Sequence, residues 1–407
     1  MCAQPCRGSP SSGAGQAAVR PLSLPLPLAC HATIAAGSKE GGVGVSSFLN
    51  GIRVLDLGQY LPGPFATRIL ADMGADVVKV EPPQGDPGRY FDPDGKPGTS
   101  PFYPLINAGK RIINLDLKDA ADAEVFLQLI ERADILLESL RPGVLDRLGL
   151  GYRQLRARNS RLIHCALSGY GQSGPARLVA DHDIGYVAMT GMLSASGTRE
   201  MPTIPYPPMA DHAGSSQAVI SIMGALLART RSGEGCYLDV SLMESLLYNQ
   251  ALPLQVPPKL GAGILNGGAA CYNVYKTGDG RFVTLSSVEP KFWAKFCTAV
   301  EHPQWIARQH EPLPQIDLIS DVADLFARHT LAHWEARLRP VDCCYQAVLD
   351  YNEVPEHPHM QARGLVRRDG NDVHVLFPTI VDDVPPTARA PLADSSWEQV
   401  LASWPAV

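Results

Sequence analysis

The chain is poor in charge and has no excess of positive residues. Of its 407 residues 19% are Asp, Glu, Lys or Arg, and the formal net charge is -6. A protein that holds nucleic acid across its surface carries a basic field, so no nucleic-acid partner is expected. A small polyanion gripped by a few local Lys and Arg side chains stays compatible with this balance. The nine cysteines form no C-x-x-C pair and no zinc-ligand spacing. No metal site is expected from them, and their odd number points to reduced thiols in a reducing compartment. No run reaches the ~20 apolar residues of a membrane span. Residues 1–48 contain no acidic residue before Glu40 and are rich in Gly, Ser, Ala and Pro. They are expected to be a disordered or targeting-like extension.

With 45% apolar residues the rest can bury a sizeable core. Ile52–Leu57 and Asp76–Glu81 have the apolar, β-branched character of buried strands. Pro62-Gly63-Pro64 reads as a turn and Phe65–Met73 as a helix between them. The alternation continues through a helix over Asp119–Arg132, a strand over Asp134–Glu138, a helix over Tyr152–Asn159 and a strand over Leu162–Leu167. Repeated βα units predict an α/β fold with a parallel, Rossmann-like doubly wound sheet. The first βα turn, Gly58-Gln59-Tyr60-Leu61-Pro62-Gly63-Pro64, lacks G-x-G-x-x-G, so no dinucleotide cofactor is indicated. A long helix is expected to open at Asp211 and run to Arg229, with small residues in its first turns. After Pro257 the pattern changes to a hairpin, Tyr272–Thr277 and Arg281–Ser286 about Gly278-Asp279-Gly280, followed by helical stretches. The expected organisation is a large domain over 49–235, a linker helix region over 236–260, a smaller α+β domain over 261–365, and a return to the large domain over 366–407.

Several segments then fall into a known order. Arg53-Val54-Leu55-Asp56-Leu57, Gly74-Ala75-Asp76-Val77-Val78-Lys79-Val80-Glu81, Asn107-Ala108-Gly109-Lys110-Arg111, Arg141-Pro142-Gly143-Val144 and Ser168-Gly169-Tyr170-Gly171-Gln172-Ser173-Gly174-Pro175 are each weak alone. Together, in this order and spacing, they resemble the family III CoA-transferases (CaiB/BaiF), over about four-fifths of the chain. Three further segments, His182-Asp183-Ile184-Gly185-Tyr186, Ala210-Asp211-His212-Ala213-Gly214 and Val288-Glu289-Pro290-Lys291-Phe292, are most like the alpha-methylacyl-CoA racemase branch. The resemblance implies that His182 and Asp211 are the two acid/base residues and that Glu289 partners the histidine. It also implies an interlocked homodimer with a shared site. CoA would enter as part of a thioester substrate, with no tightly bound cofactor.

The chemistry suits those residue types. Racemisation beside a thioester removes a weakly acidic proton from one face of a carbon and returns one to the other. Two groups flanking the carbon are needed, one protonated and one not, and a His and a tuned carboxyl meet this near neutral pH. If Asp211 opens a helix, that helix end could also supply a dipole to the enolate oxygen. For the CoA phosphates the candidates are Lys79, Lys110, Arg111 and Arg141. Tyr60 and Tyr272 match positions that line the acyl or pantetheine region in relatives. Read without the resemblance, Asp211 is an N-cap, His182 an ordinary core or surface histidine, Glu289 a helix-start charge, and the two tyrosines core. Asp183 reads as structural, a cap or a support for the site.

Two other functions fit the family. In a CoA-transferase the residue matching Asp211 is a nucleophile that carries covalent intermediates. Three departures favour the racemase branch: Leu61 where oxalate-type transferases carry Gln, Ser286-Ser287-Val288-Glu289 where they carry a mobile Gly-rich loop, and His182 where many carry an aromatic or another residue. A non-catalytic acyl-CoA binder would not need all three polar residues. The C-terminus, Ser403–Val407, is no Ser-Lys-Leu type signal, and the default compartment is the cytoplasm, or an organelle if residues 1–48 target the chain.

Overall fold

A computed structural model describes residues 44–91, 100–370 and 372–405. The expected extension over 1–48 therefore lies almost wholly outside the described residues. Seven parallel strands form the central sheet: β1 (Arg53–Leu57), β2 (Asp76–Glu81), β3 (Arg111–Asn114), β4 (Ile135–Glu138), β5 (Ile163–Ser168) and β6 (Tyr237–Ser241), with β12 (Ala393–Asp394) at one edge. The spatial order is β12-β3-β2-β1-β4-β5-β6. All pairings in it are parallel.

Alternation along the strands explains the two layers. Val54, Val77, Ile135 and Cys165 point to one face, where the Pro62–Asp72 and Met209–Ser232 helices cover them. Leu55, Val78, Ile113 and Leu136 point to the other, against Phe126 and Leu129 of the Ala120–Ile130 helix and Trp404 after the Trp397–Ser403 helix. The doubly wound expectation holds, and β12 pairs with β3 at the edge of the sheet. Six short strands fall outside the predicted pattern: β3, β6, β12, β9 (Tyr345–Ala347), β10 (Val366–Asp369) and β11 (Asp372–Val375). They are short, and their few residues carry little periodic signal.

Two helix starts differ from expectation for a clear reason. The helix assigned to begin after Pro64 begins at Pro62, because a proline at the first helical position has no N–H to leave unpaired and its φ is already helical. The long helix begins at Met209 rather than Asp211, with Pro208 at the cap position. Its Ala210 and Asp211 amides donate to Asp183 Oδ1, at 2.6 and 3.0 Å, so a carboxylate from a distant segment does the capping. Asp211 is thus in the first turn and is not the N-cap.

The predicted hairpin is present as β7 (Tyr272–Lys276) and β8 (Phe282–Ser286), extended by β9 into a three-stranded antiparallel sheet. Trp293, Phe296, Phe326 and Trp334 give it a core of its own. A two-stranded ribbon of β10 and β11 precedes β12. Among the described residues no helix is long and apolar enough to cross a membrane.

Candidate functional site

At the centre of the sheet β1 lies between β2 and β4, and the chain leaves toward opposite faces on the two sides. Such a switch point opens a crevice beyond the carboxyl ends of the strands. A cavity of about 650 Å³ occupies it, walled by Gln59, Tyr60 and Pro62 after β1, Ser139–Pro142 after β4 and Leu167–Tyr170 around the end of β5. His182, Tyr186 and Asp211 complete the lining.

The histidine and the aspartate reach it by different routes. His182 is the N-cap residue of the Asp183–Met189 helix, with φ -128 and ψ 178, and its side chain makes no capping bond. Asp211 sits in the first turn of the Met209–Ser232 helix. Burial, and then the negative charge of Asp183, push the Asp211 carboxyl from 3.8 up to about 7. At neutral pH it is therefore available in both protonation states, which a proton donor-acceptor requires. Asp183 acts on Asp211 twice, through its charge and by holding the Asp211 amide. That matches the supporting role expected for it. Ser215 Oγ donates to the Pro62 carbonyl at 2.8 Å and ties the Asp211 helix to the β1 loop.

Of the other candidates, Tyr60 and Arg141 line this cavity. Tyr60 has φ +56, a left-handed backbone unusual for a residue with a side chain. The turn is held by the Gln59 amide donating to Ser139 Oγ at 2.9 Å. Glu289 and Tyr272 do not join the cavity within one chain. Glu289 is exposed at the start of the Pro290–Ala299 helix, and Tyr272 lines a separate cleft with Ser196, Asn266 and Asn273.

Three phosphate candidates are corrected. Lys79 is fully buried; its Nζ pairs with Asp86 at 2.9 Å and donates to the Gly58 carbonyl at 2.5 Å. Lys110 is also buried, its Nζ 2.9 Å from Asp56, 2.9 Å from the Pro64 carbonyl and 2.8 Å from Asn107 Oδ1. Neither ammonium can reach a phosphate, because both are buried and turned to internal acceptors, three for Lys110 and two for Lys79. They brace the loop that walls the cavity instead. Arg111 lies at the amino ends of β2 and β3, away from the cavity, where it chelates Asp76 at 2.7 and 3.2 Å. Motif position placed these three in the site; the direction of each strand and side chain removes them.

The helix-end expectation also needs correcting. The first amides of the Asp211 helix are taken by Asp183. What that turn offers an enolate oxygen is its dipole, not those two donors. Missed altogether were Asp181, Tyr170, Tyr186 and Arg177, all in the cavity wall. Tyr170 and Tyr186 stood inside quoted motifs, but nothing in the sequence marked them as facing a site.

The chain was compared with known proteins. The family model described as CoA-transferase family III matches residues 49–391. Human alpha-methylacyl-CoA racemase is 34% identical over 371 residues, 87% of this chain and 92% of that protein. Acetyl-CoA:oxalate CoA-transferase of Acetobacter aceti is 31% identical over 335 residues, 79% of this chain and 86% of that protein. The crystal structure of a CaiB/BaiF family protein from Brucella suis shares the fold with a TM-score of 0.75 at 24% identity, covering 88% of this chain and 99% of that one.

Proposed function

The chain belongs to CoA-transferase family III, and from that premise we propose that it moves a proton at the α-carbon of a 2-methylacyl-CoA thioester, interconverting the two enantiomers. The observation that carries this reading is that His182 and Asp211 line one cavity, with the Asp211 carboxyl raised to about 7. One of the pair takes the α-proton, the electrons move onto the thioester oxygen as an enolate, and the other returns a proton to the opposite face. Arg141 and Arg177 in the same wall supply positive charge toward the CoA phosphates. CoA enters with the substrate, and no other cofactor is required. A homodimer belongs to this reading: a second copy of the chain would bring Glu289 to His182.

The Acetobacter relative keeps a second reading in play, CoA transfer between carboxylic acids with Asp211 as nucleophile. One experiment separates them. Incubation of a 2-methylacyl-CoA in deuterium oxide is expected to give α-deuterated, racemised product, and His182→Ala and Asp211→Ala are expected to stop racemisation. No α-exchange, together with CoA transfer to a free acid and an Asp211 adduct trapped by hydroxylamine, overturns the proton-transfer reading in favour of the second.

A further inference from the structure

His182 contributes no side-chain bond to its own helix. The residue before it is bonded to the backbone and side chains around it. Asp181 Oδ1 accepts from the His182 amide at 2.9 Å, and Oδ2 accepts from the Tyr170 hydroxyl at 2.8 Å. The Asp181 carbonyl accepts from the Tyr186 hydroxyl at 2.9 Å. The two tyrosine rings pack edge to face at 5.0 Å. Both carboxylate oxygens and the carbonyl of one residue are thus engaged around the peptide that leads into His182.

Two glycines make room for the arrangement. A Cβ on Gly185 would lie 2.0 Å from both carboxylate oxygens of Asp181, and one on Gly169 would lie 2.4 Å from the Tyr186 hydroxyl. The carboxylate can fold back over the helix start only because residue 185 has no side chain. Burial, then Asp181, raise the Tyr170 phenol to about 12. Burial, then Asp211, do the same for Tyr186. Both remain protonated donors across the working pH range.

We infer that Asp181 is a positioning residue for His182, clamped by Tyr170 and Tyr186, and that it sets the reach of the histidine without touching the reacting atoms. This rests on the proton-transfer reading above. In a two-base reaction each enantiomer loses its α-proton to a different group, so a fault in His182 placement has a handed signature. A loss of fold does not.

The test uses the full chain, the two enantiomers of 2-methyldecanoyl-CoA assayed separately in deuterium oxide, and the variants Asp181→Ala, Asp181→Asn and Tyr170→Phe. Misplacing a catalytic group by about 1 Å costs roughly 10²-fold, so Asp181→Ala is expected to slow α-exchange from one enantiomer by ~10–100-fold while the other falls less than about threefold and KM moves less than about twofold. Asparagine can still accept from the His182 amide, and its NH₂ can donate to the Tyr170 hydroxyl, so Asp181→Asn is expected to recover to within about threefold of wild type. Tyr170→Phe, which removes one of the three bonds, should lie between. Equal slowing from both enantiomers, or no slowing in Asp181→Ala, overturns the positioning role while leaving the racemase reading intact. Absence of α-exchange in the wild-type protein takes down both.

Discussion

Two groups of carboxylates meet at the loop from Gly58 to Pro62, and they are treated in opposite ways. Asp56 and Asp86 each face a buried lysine at 2.9 Å, Lys110 and Lys79 respectively. Burial alone would raise the Asp56 carboxyl, yet Lys110 and Lys79 outweigh it and hold Asp56 below its ordinary value. Burial lowers Lys110 to about 8 against the pull of Asp56, so it stays largely charged at neutral pH. Across the loop, Asp211 is half-buried in the cavity wall, and the charge acting on it is the like charge of Asp183. The first group is neutralised and structural. The second is left unneutralised, which suits the proton transfer proposed for it. The difference is the sign of the nearest neighbour, since burial pushes Asp56 and Asp211 the same way.

The comparison can be broken at its reactive end first. Asp211→Asn keeps shape and hydrogen bonding but removes the titrating oxygen, so racemisation is expected to fall by ~10²–10⁴-fold with the fold retained, as read by deuterium wash-in and circular dichroism. At the structural end, Lys110→Met leaves the buried Asp56 without its ion-pair partner. A loss of ~3–5 kcal/mol in urea unfolding is expected, the range for removing one partner of a buried pair. If that variant instead unfolds like wild type but loses substrate binding, the lysine is a ligand contact and the contrast collapses.

A smaller effect sharpens the distinction through pH. Asp211 holds its proton more tightly in the folded chain, about 7 against 3.8. The folded state is therefore penalised progressively as pH rises from the lower value to the higher, with no further change above it. Asp211→Asn removes the penalty, so the variant should gain stability over wild type across that window, on the order of 1–3 kcal/mol at pH 8 and close to nothing at pH 3. A constant difference at all pH values would mean that Asp211 titrates normally. The least effect separates the arginines. Arg141→Ala is expected to raise KM about tenfold, the loss of one charge-assisted bond, whereas Arg111→Ala should leave KM within about twofold. Equal effects would return Arg111 to the site.

Legibility in the sequence followed the same division. Strands β1, β2, β4 and β5 and the helices between them were readable because apolar alternation and end signals are local properties. The helix carrying Asp211 was readable in extent but not in register. An Asp ahead of a helical run is the usual cap, and no local signal says that Asp183, from another segment, has taken that office. Lys79 and Lys110 were misplaced for the reverse reason. A lysine in a motif looks like a phosphate ligand, and its burial beside an aspartate many residues away shows only in space. Asp181 left no trace at all, because its meaning depends on Tyr170, Tyr186 and the missing side chain of Gly185 arriving together.

Residue pattern alone was enough to predict a doubly wound α/β chain, because periodicity is written along the chain, whereas the singling out of His182 and Asp211 came from the resemblance to CoA-transferase family III and not from pattern. Which charges would be neutralised, which carboxyl would be raised, and which residues would steady the histidine were decided only by folding. Each of those depends on electrostatics and hydrogen bonds over a few ångströms, between groups that the sequence holds far apart.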